Sequence, residues 1–239
     1  MTLEQLLRAA RSLVDDVVPP FLYPTADIVR WLNNAIREAA IRTRLLQDDT
    51  SAVCRIALVP GQARYQLDPC ILVVRAAYVP EVRKGLELVT AAQLDRLAPG
   101  WAHIDQSANV GARPRWAIFD VGQKAMTVHP APTYAGVLHL RVWRMPRPAE
   151  EFETPTGDDA GFQYDLDAEP VLRLATPEEL KHWVAREAYL SKDSELYDPQ
   201  RAAQHEELFT RTFGPRPTEH ELSLWSRSRL NGQRMHSEY

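Results

Sequence analysis

Residues 26–59, ADIVRWLNNAIREAAIRTRLLQDDTSAVCRIALV, change period partway along their length. In the first part Ile28, Trp31, Leu32, Ala35, Ile36 and Ala39 recur at three- and four-residue spacing, with Leu46 extending the row. That is the apolar stripe of a helix, and Arg30, Arg37, Arg42 and Arg44 are placed off it. After Asp48-Asp49 the rhythm loosens to the two-residue alternation of a strand over residues 53–59.

Upstream of this switch, Leu3, Leu6, Leu7, Ala10, Leu13, Val14 and Val17 form another helical stripe over residues 2–18. Thr2 and Gln5 have capping-box spacing, in which each side chain satisfies an orphan amide of the first turn. Pro19-Pro20 stops that helix and Pro24-Thr25 opens the next, so the two read as an antiparallel hairpin with a proline-rich corner.

Downstream, strands are expected at 64–67, 71–79, 86–89, 116–121, 125–129 and 137–143, with Pro60-Gly61, Gly122 and Gly136 at the turns. Thr90 and Gln93 form a second capping box, for one short helix ending near Leu97. Such a meander predicts a small antiparallel sheet or barrel-like unit. Helical spacing returns after Thr176-Pro177 and again after Asp198-Pro199, where a polar cap and a first-turn proline suit a helix start. Gly214-Pro215 ends the last helix.

Helices this short are not stable alone, so their apolar faces need one another. The fold class expected is α+β: a four-helix bundle built from both chain ends, an inserted antiparallel β-rich unit and an extended C-terminal tail. The corresponding parts are residues 1–48 with 171–214, residues 49–146, an acidic loop at 147–170 and a tail at 215–239. The acidic segment carries eight carboxylates from Glu150 to Glu169, which read as a solvated loop.

Composition narrows the function. The 239 residues are 45% hydrophobic and carry a formal charge of -4, which speaks against a protein that grips nucleic acid over its whole surface. The four arginines of the second helix do not make a recognition helix, because its one aromatic, Trp31, falls on the apolar stripe. Cys54 and Cys70 sit in apolar runs without CxxC or zinc spacing, as buried reduced thiols do. The opening residues mix acids and arginines into the apolar pattern, unlike a signal peptide, and no run approaches the ~18 apolar residues of a membrane span. A cytosol-like compartment is expected.

Enzyme signatures are missing from the sequence: no GxSxG, no Walker A loop, no HExxH and no GxGxxG. Phosphate cradles need glycines that open a helix, and here the glycines fall in turns. No catalytic residue, metal site or cofactor is therefore expected. His129 and His139, which a hairpin would set face to face, with an acid such as Asp120, are the residues a hydrolase would use.

The order of several phrases carries more information. They are ADIVRWLNNAIREAAIRTRLL, LVPGQARYQLDP, LELVTAAQLDRLAPGW, GARPRWAIFD, KAMTVHPAPTYAGVLHLRVWRMP and the closing TPEELKHWVAREAYLSKDSELYDPQRAAQHEELFTRTFG. Over residues 25–214 the chain resembles the head-to-tail adaptor (connector, or neck) proteins of tailed bacteriophages. The acidic segment 147–170 and the length of the tail depart from the family pattern.

The resemblance implies a structural virion protein, not an enzyme. It would form a homo-oligomeric ring, commonly of twelve copies, beneath the portal protein, extend the DNA channel and offer a platform to the tail or a second neck protein. DNA would pass through without sequence-specific binding, and assembly would take place in the host cytoplasm. The family often reaches the portal with its C-terminal segment, which makes Leu222, Leu224, Trp225 and Leu230 candidate anchors and Arg227 and Arg229 candidate rim contacts. The alternatives are a tail-side ring component (terminator or baseplate-proximal) and a hydrolase with its site on the β-rich unit.

Overall fold

The computed structural model describes residues 1–80, 84–102, 113–154, 163–191 and 197–227. Its contacts divide the chain into two units, residues 1–46 with 145–216 and residues 47–144 with 217–239.

In the first unit, α1 (Leu3–Leu13) starts as the capping box requires: the Gln5 amide donates to Thr2 Oγ1, and the Thr2 amide donates to Gln5 Oε1. Two further first-turn amides donate outside the helix, Leu3 N to the Ala168 carbonyl at 2.8 Å and Glu4 N to the Leu166 carbonyl at 3.0 Å. The helix stops well before Pro19. Asp16 is buried against Arg11, and its carboxylate accepts the Leu22 and Tyr23 amides, which turns the chain out of the helix. Val17, expected on the buried stripe, is exposed.

The second helix, α2 (Thr25–Thr43), ends at Arg44 in the left-handed conformation. Its buried row is the expected one, but it also contains Arg42, whose guanidinium bonds Glu38, Thr210 and the Gly214 carbonyl. Helix α4 (Leu180–Leu190), preceded by a 3-10 turn Pro177–Glu179, packs on α1, α2 and α5 (Pro199–Phe213). The Asp198 side chain caps α5 by accepting the Gln200 and Arg201 amides. Leu3, Leu6, Ile28, Leu32, Leu180 and Phe209 meet in the shared core.

This unit is not the expected four-helix bundle. Such a bundle closes its core with the inward positions of its four helices. Here α1 and α4 have 11 residues against 19 in α2. Irregular chain fills the difference, because Phe152 and Leu172 belong to the same core. The described part of the acidic segment is likewise not simply solvated. Asn33 exchanges two hydrogen bonds with the Phe152 backbone at 2.8 and 2.9 Å, Glu151 pairs with Arg37, and Glu169 meets the N-terminal amine.

The second unit is a large curled mixed sheet, not a small antiparallel one. Its strands are β1 (Gln47–Asp48), β2 (Arg55–Leu58), β3 (Arg64–Gln66), β4 (Ile71–Val79), β5 (Lys84–Leu88), β6 (Trp116–Asp120), β7 (Ala125–His129) and β8 (Gly136–Arg144). Their order is β1-β8-β4-β5-β6-β7-β3, with β2 also on β8. The pair β5–β6 is parallel, Glu87 opposite Trp116 and Leu88 opposite Ala117. A parallel pair needs a long crossover, and the chain from Leu88 to Trp116, which carries α3 (Ala91–Leu97), supplies it. Irregularities between Ile71 and Val73 and between Val74 and Ala76 shift the β4–β8 register, as bulges do.

One buried polar hub ties the start of the sheet to its longest strands. Asp48 accepts from Arg144 Nε at 2.6 Å and from Ser51 Oγ at 2.6 Å, and from the Thr50 and Ser51 amides. Burial opposes the charge on Asp48, but the hydrogen bonds outweigh it and hold the carboxyl well below the usual range. Cys54, beside this hub, is a buried free thiol pushed up to about 11 by burial. Cys70 is also buried and free.

The described part of the tail is not extended throughout either. Residues Glu219–Arg227 form α6, which packs against β4.

Candidate functional site

Helix α6 is the element on which most of the sequence-derived contact residues fall. It begins at Thr218, whose hydroxyl accepts the Glu221 amide while the Glu221 carboxylate accepts the Thr218 amide at 2.8 Å. This is a third capping box, T-x-x-E, in a stretch whose polar composition reads as a frayed end. Leu222 points into the unit and is buried. The Trp225 carbonyl accepts from Arg75 Nη1 at 3.0 Å. The Arg75 guanidinium lies 4.3 Å over the Trp143 ring, and Trp143 meets Trp225 edge-on at 6.4 Å.

The lock is thus Arg75 held between the Trp143 ring and the Trp225 carbonyl, a cation–π contact reinforced by a charge-assisted hydrogen bond to backbone. Arg75 on β4 and Trp143 on β8 were not among the residues that the sequence singled out. Their role depends on strand pairing across the sheet, and the one local signal for it was the Thr218/Glu221 cap.

Of the candidate anchors, Leu222 and Trp225 pack within their own chain. Leu224 is 44% exposed. Arg227 is the last residue of α6, while Arg229 and Leu230 lie outside the described residues.

Nearby, an open cleft of about 420 Å³ is lined by Val89, Thr90, Phe119, Asp120, Glu219 and His220, among others. Asp120 accepts the Gln123 amide at 3.1 Å. Lys124 donates from Nζ to the Ile71 carbonyl at 2.7 Å, and burial pulls its ammonium down, opposed by Glu219.

The residues of the hydrolase reading do not come together. His129 ends β7, which pairs with β6 and β3, whereas His139 lies in β8, which pairs with β4, β1 and β2. His129 is buried, stacked on Trp116 and edge-on to Trp101, and burial lowers its pKa. Its Nδ1 has no hydrogen-bond partner among the described residues. His139 stacks on Tyr78 at 5.0 Å. Among the described residues no three His, Cys, Asp or Glu side chains gather as a metal site. Nor is any helix of these residues long and apolar enough to cross a membrane.

A second cluster, unforeseen in the sequence, lies between α4 and α5. His182 and His205 approach at 3.1 Å between their Nδ1 atoms, with Tyr189 stacked on His205 and Glu179 3.3 Å from His182 Nε2. Burial lowers the pKa of both imidazoles. At this distance one Nδ1–H donates to the other Nδ1, a positive charge on both rings is disfavoured, and the arrangement is that of a packed helix contact.

What emerges is a pair of folded units, the second carrying the docked helix α6, and among the described residues no histidine, acid and nucleophile are assembled as a catalytic group. Comparison with curated proteins finds no match. The family described as SU10 adaptor protein matches residues 1–232, nearly the whole chain. This chain therefore belongs to the SU10 adaptor family, a family of phage head-to-tail adaptors.

Proposed function

We propose that this chain is a structural neck subunit that assembles as a ring of about twelve copies beneath the portal, extending the DNA channel and presenting a platform to the tail or a second neck protein. The observation that carries this reading is the family match over residues 1–232. The acidic balance, a formal charge of -4, suits a lumen that lets phosphate pass without gripping it. Assembly takes place in the host cytoplasm before the subunit joins the virion.

Portal contact in this reading comes from the C-terminal segment, with the division of labour adjusted to α6. Leu222 and Trp225 hold the helix on its own sheet. Leu224 and the following Arg227, Arg229 and Leu230 are the groups that meet the portal. Arginine is among the residue types enriched at the energetic centres of interfaces, and an exposed leucine beside it adds apolar area to bury.

The test is cosedimentation with purified portal rings, comparing the full chain, a chain lacking residues 228–239 and Leu224→Asp. All three are expected to keep α6, checked by circular dichroism, and the two variants are expected to lose portal binding. Equal binding by all three would remove the C-terminal anchoring. Absence of binding by the full chain would remove the place beneath the portal.

A further inference from the structure

We propose that the cleft lined by the end of β6, the start of α3 and the start of α6 is a strand-addition site, where an extended segment of another protein, bearing a lysine or arginine, pairs in parallel with β6. The site lies apart from the C-terminal anchoring proposed above and does not rest on it.

The observation behind it is a row of backbone groups left half filled. Val128 turns its amide away from β6, to the Ala63 carbonyl. The β6 residues bonded to β7 are therefore Trp116, Ile118 and Asp120, and the intervening Ala117 and Phe119 point their N–H and C=O groups to the β5 side. Ala117 is clasped there: Glu87 and Leu88 pair with Trp116 and Ala117, and the Val89 amide donates to the Ala117 carbonyl at 3.0 Å. The ladder ends at that bond. Phe119, two residues on, has no backbone partner on this side among the described residues.

Strand β5 stops because of its next residues. Thr90 and Gln93 form the capping box that starts α3, so the chain leaves the sheet after Val89 while β6 runs on to Asp120. What is left is the cleft of about 420 Å³, lined by residues 88–91, residues 118–122, Glu219 and His220. That volume is in the range of sites that hold a small ligand, roughly 300–1,000 Å³.

The occupant follows from the chemistry. An N–H and a C=O side by side on a strand edge are matched in spacing by another extended main chain. One guest residue accepts the Phe119 amide, and the residue two places on donates to the Phe119 carbonyl, as Glu87 and Val89 do at Ala117. Charge narrows the guest further. The lining holds the carboxylates of Asp120 and Glu219 and neither lysine nor arginine. Asp120 meets Arg64 only at 4.0 Å and keeps 45% of its side chain exposed. Lys124, which interacts with Glu219, already donates to the Ile71 carbonyl. A basic side chain on the guest complements this rim, and an acidic one is repelled.

The test titrates the labelled hexapeptide TVKVTV into the full chain, with binding followed by fluorescence anisotropy and amide exchange by NMR. In the chain alone the Phe119 amide is expected to exchange quickly and the Ile118 amide, bonded to β7, slowly. Saturating peptide is expected to slow Phe119 at least about tenfold and to leave Ile118 as it was. The acidic peptide TVEVTV is expected to bind at least about fivefold more weakly. Phe119→Pro removes the donor without removing a bond to β7, and is expected to weaken TVKVTV about tenfold. Phe119→Ala keeps the amide and is expected to weaken it no more than about threefold. The melting temperature and Ile118 exchange report whether Phe119→Pro keeps the sheet. TVKVTV with alternate amides N-methylated removes the guest's donors instead, and makes the same test on the unaltered chain.

No saturable binding of TVKVTV, equal binding of its N-methylated form, or equal loss with Phe119→Pro and Phe119→Ala would overturn strand addition. Equal binding of TVEVTV would overturn the basic partner. A Phe119 amide already slow in the chain alone would show the row filled by the chain itself or, where the protection rises with concentration, by a second copy; either would overturn the proposal. No portal ring enters this test, so its failure leaves the place beneath the portal standing.

Discussion

The side chains that do most in this molecule are buried charges with distant partners. Asp48 and Arg144 are 96 residues apart, so no local pattern marks Asp48-Asp49 as anything but a solvated acidic pair. Arg42 shows the same limit: placed off the apolar stripe by spacing, it is buried because Glu38, Thr210 and the Gly214 carbonyl satisfy it. Asp48→Asn strands Arg144 without its counter-charge and is expected to cost about 3 kcal/mol. Ser51→Ala, which removes one hydrogen bond to Asp48, is expected to cost about 1 kcal/mol. Urea unfolding followed by fluorescence orders the two, and equal effects would contradict the hub. The histidines make a prediction in pH. His182 and His205 have folded pKa values below the unfolded value near 6.5, chiefly through burial, with Lys181 and Arg201 adding to the effect and Glu178 and Glu179 opposing it at His182. Protonation therefore favours the unfolded chain. Stability is full above about pH 6.5 and declines as the pH falls below it. The melting temperature should drop between pH 7.5 and 5.5, and His205→Gln should shrink that drop; an undiminished drop would place the effect elsewhere.

At the scale of elements, what could be read from sequence was what short-range chemistry specifies. The Thr2/Gln5 and Thr90/Gln93 capping boxes and the Asp198-Pro199 start each open a helix where spacing put one. Strands β2 to β8 fall on alternating or dense apolar runs. Pairing was not legible. The β5–β6 contact is parallel and non-local, and a succession of strands carries no mark of which neighbours will join. Helix α6 was missed for a different reason: its cap was present at Thr218, but the following residues hold too few apolar groups for a full stripe. Its docking comes from Leu222 and from Arg75, which lies over the Trp143 ring and donates to the Trp225 carbonyl. Thr218→Ala should cost about 1 kcal/mol of α6 stability. Amide exchange at 221–227 should then quicken roughly fivefold, with β4 unaffected. Unchanged exchange would mean that the Arg75 lock alone sets the helix.

The candidate docking groups were legible only in part. Composition named Leu224, which is exposed, together with Leu222 and Trp225, which the same helix turns inward, and it could not tell them apart. For the molecule as a whole, the helical unit is discontinuous in sequence, and its core draws on Leu3, Ile28 and Leu32 as well as Leu180 and Phe209. Helices of 11 to 15 residues such as α4 and α5 are marginal without that core. Deleting residues 1–46 should therefore expose the amides of residues 180–213 to rapid exchange while those of β4 and β8 stay slow. Protected α4 and α5 in such a chain would show that they hold together without the opening helices.

The chain passes between its units at residues 46/47, 144/145 and 216/217. Vectorial synthesis meets this arrangement awkwardly. The α1–α2 apolar faces leave the ribosome ahead of α4 and wait for it while more than a hundred further residues are made. At about 5–20 residues per second the wait is on the order of ten seconds, long enough for nascent-chain chaperones to matter.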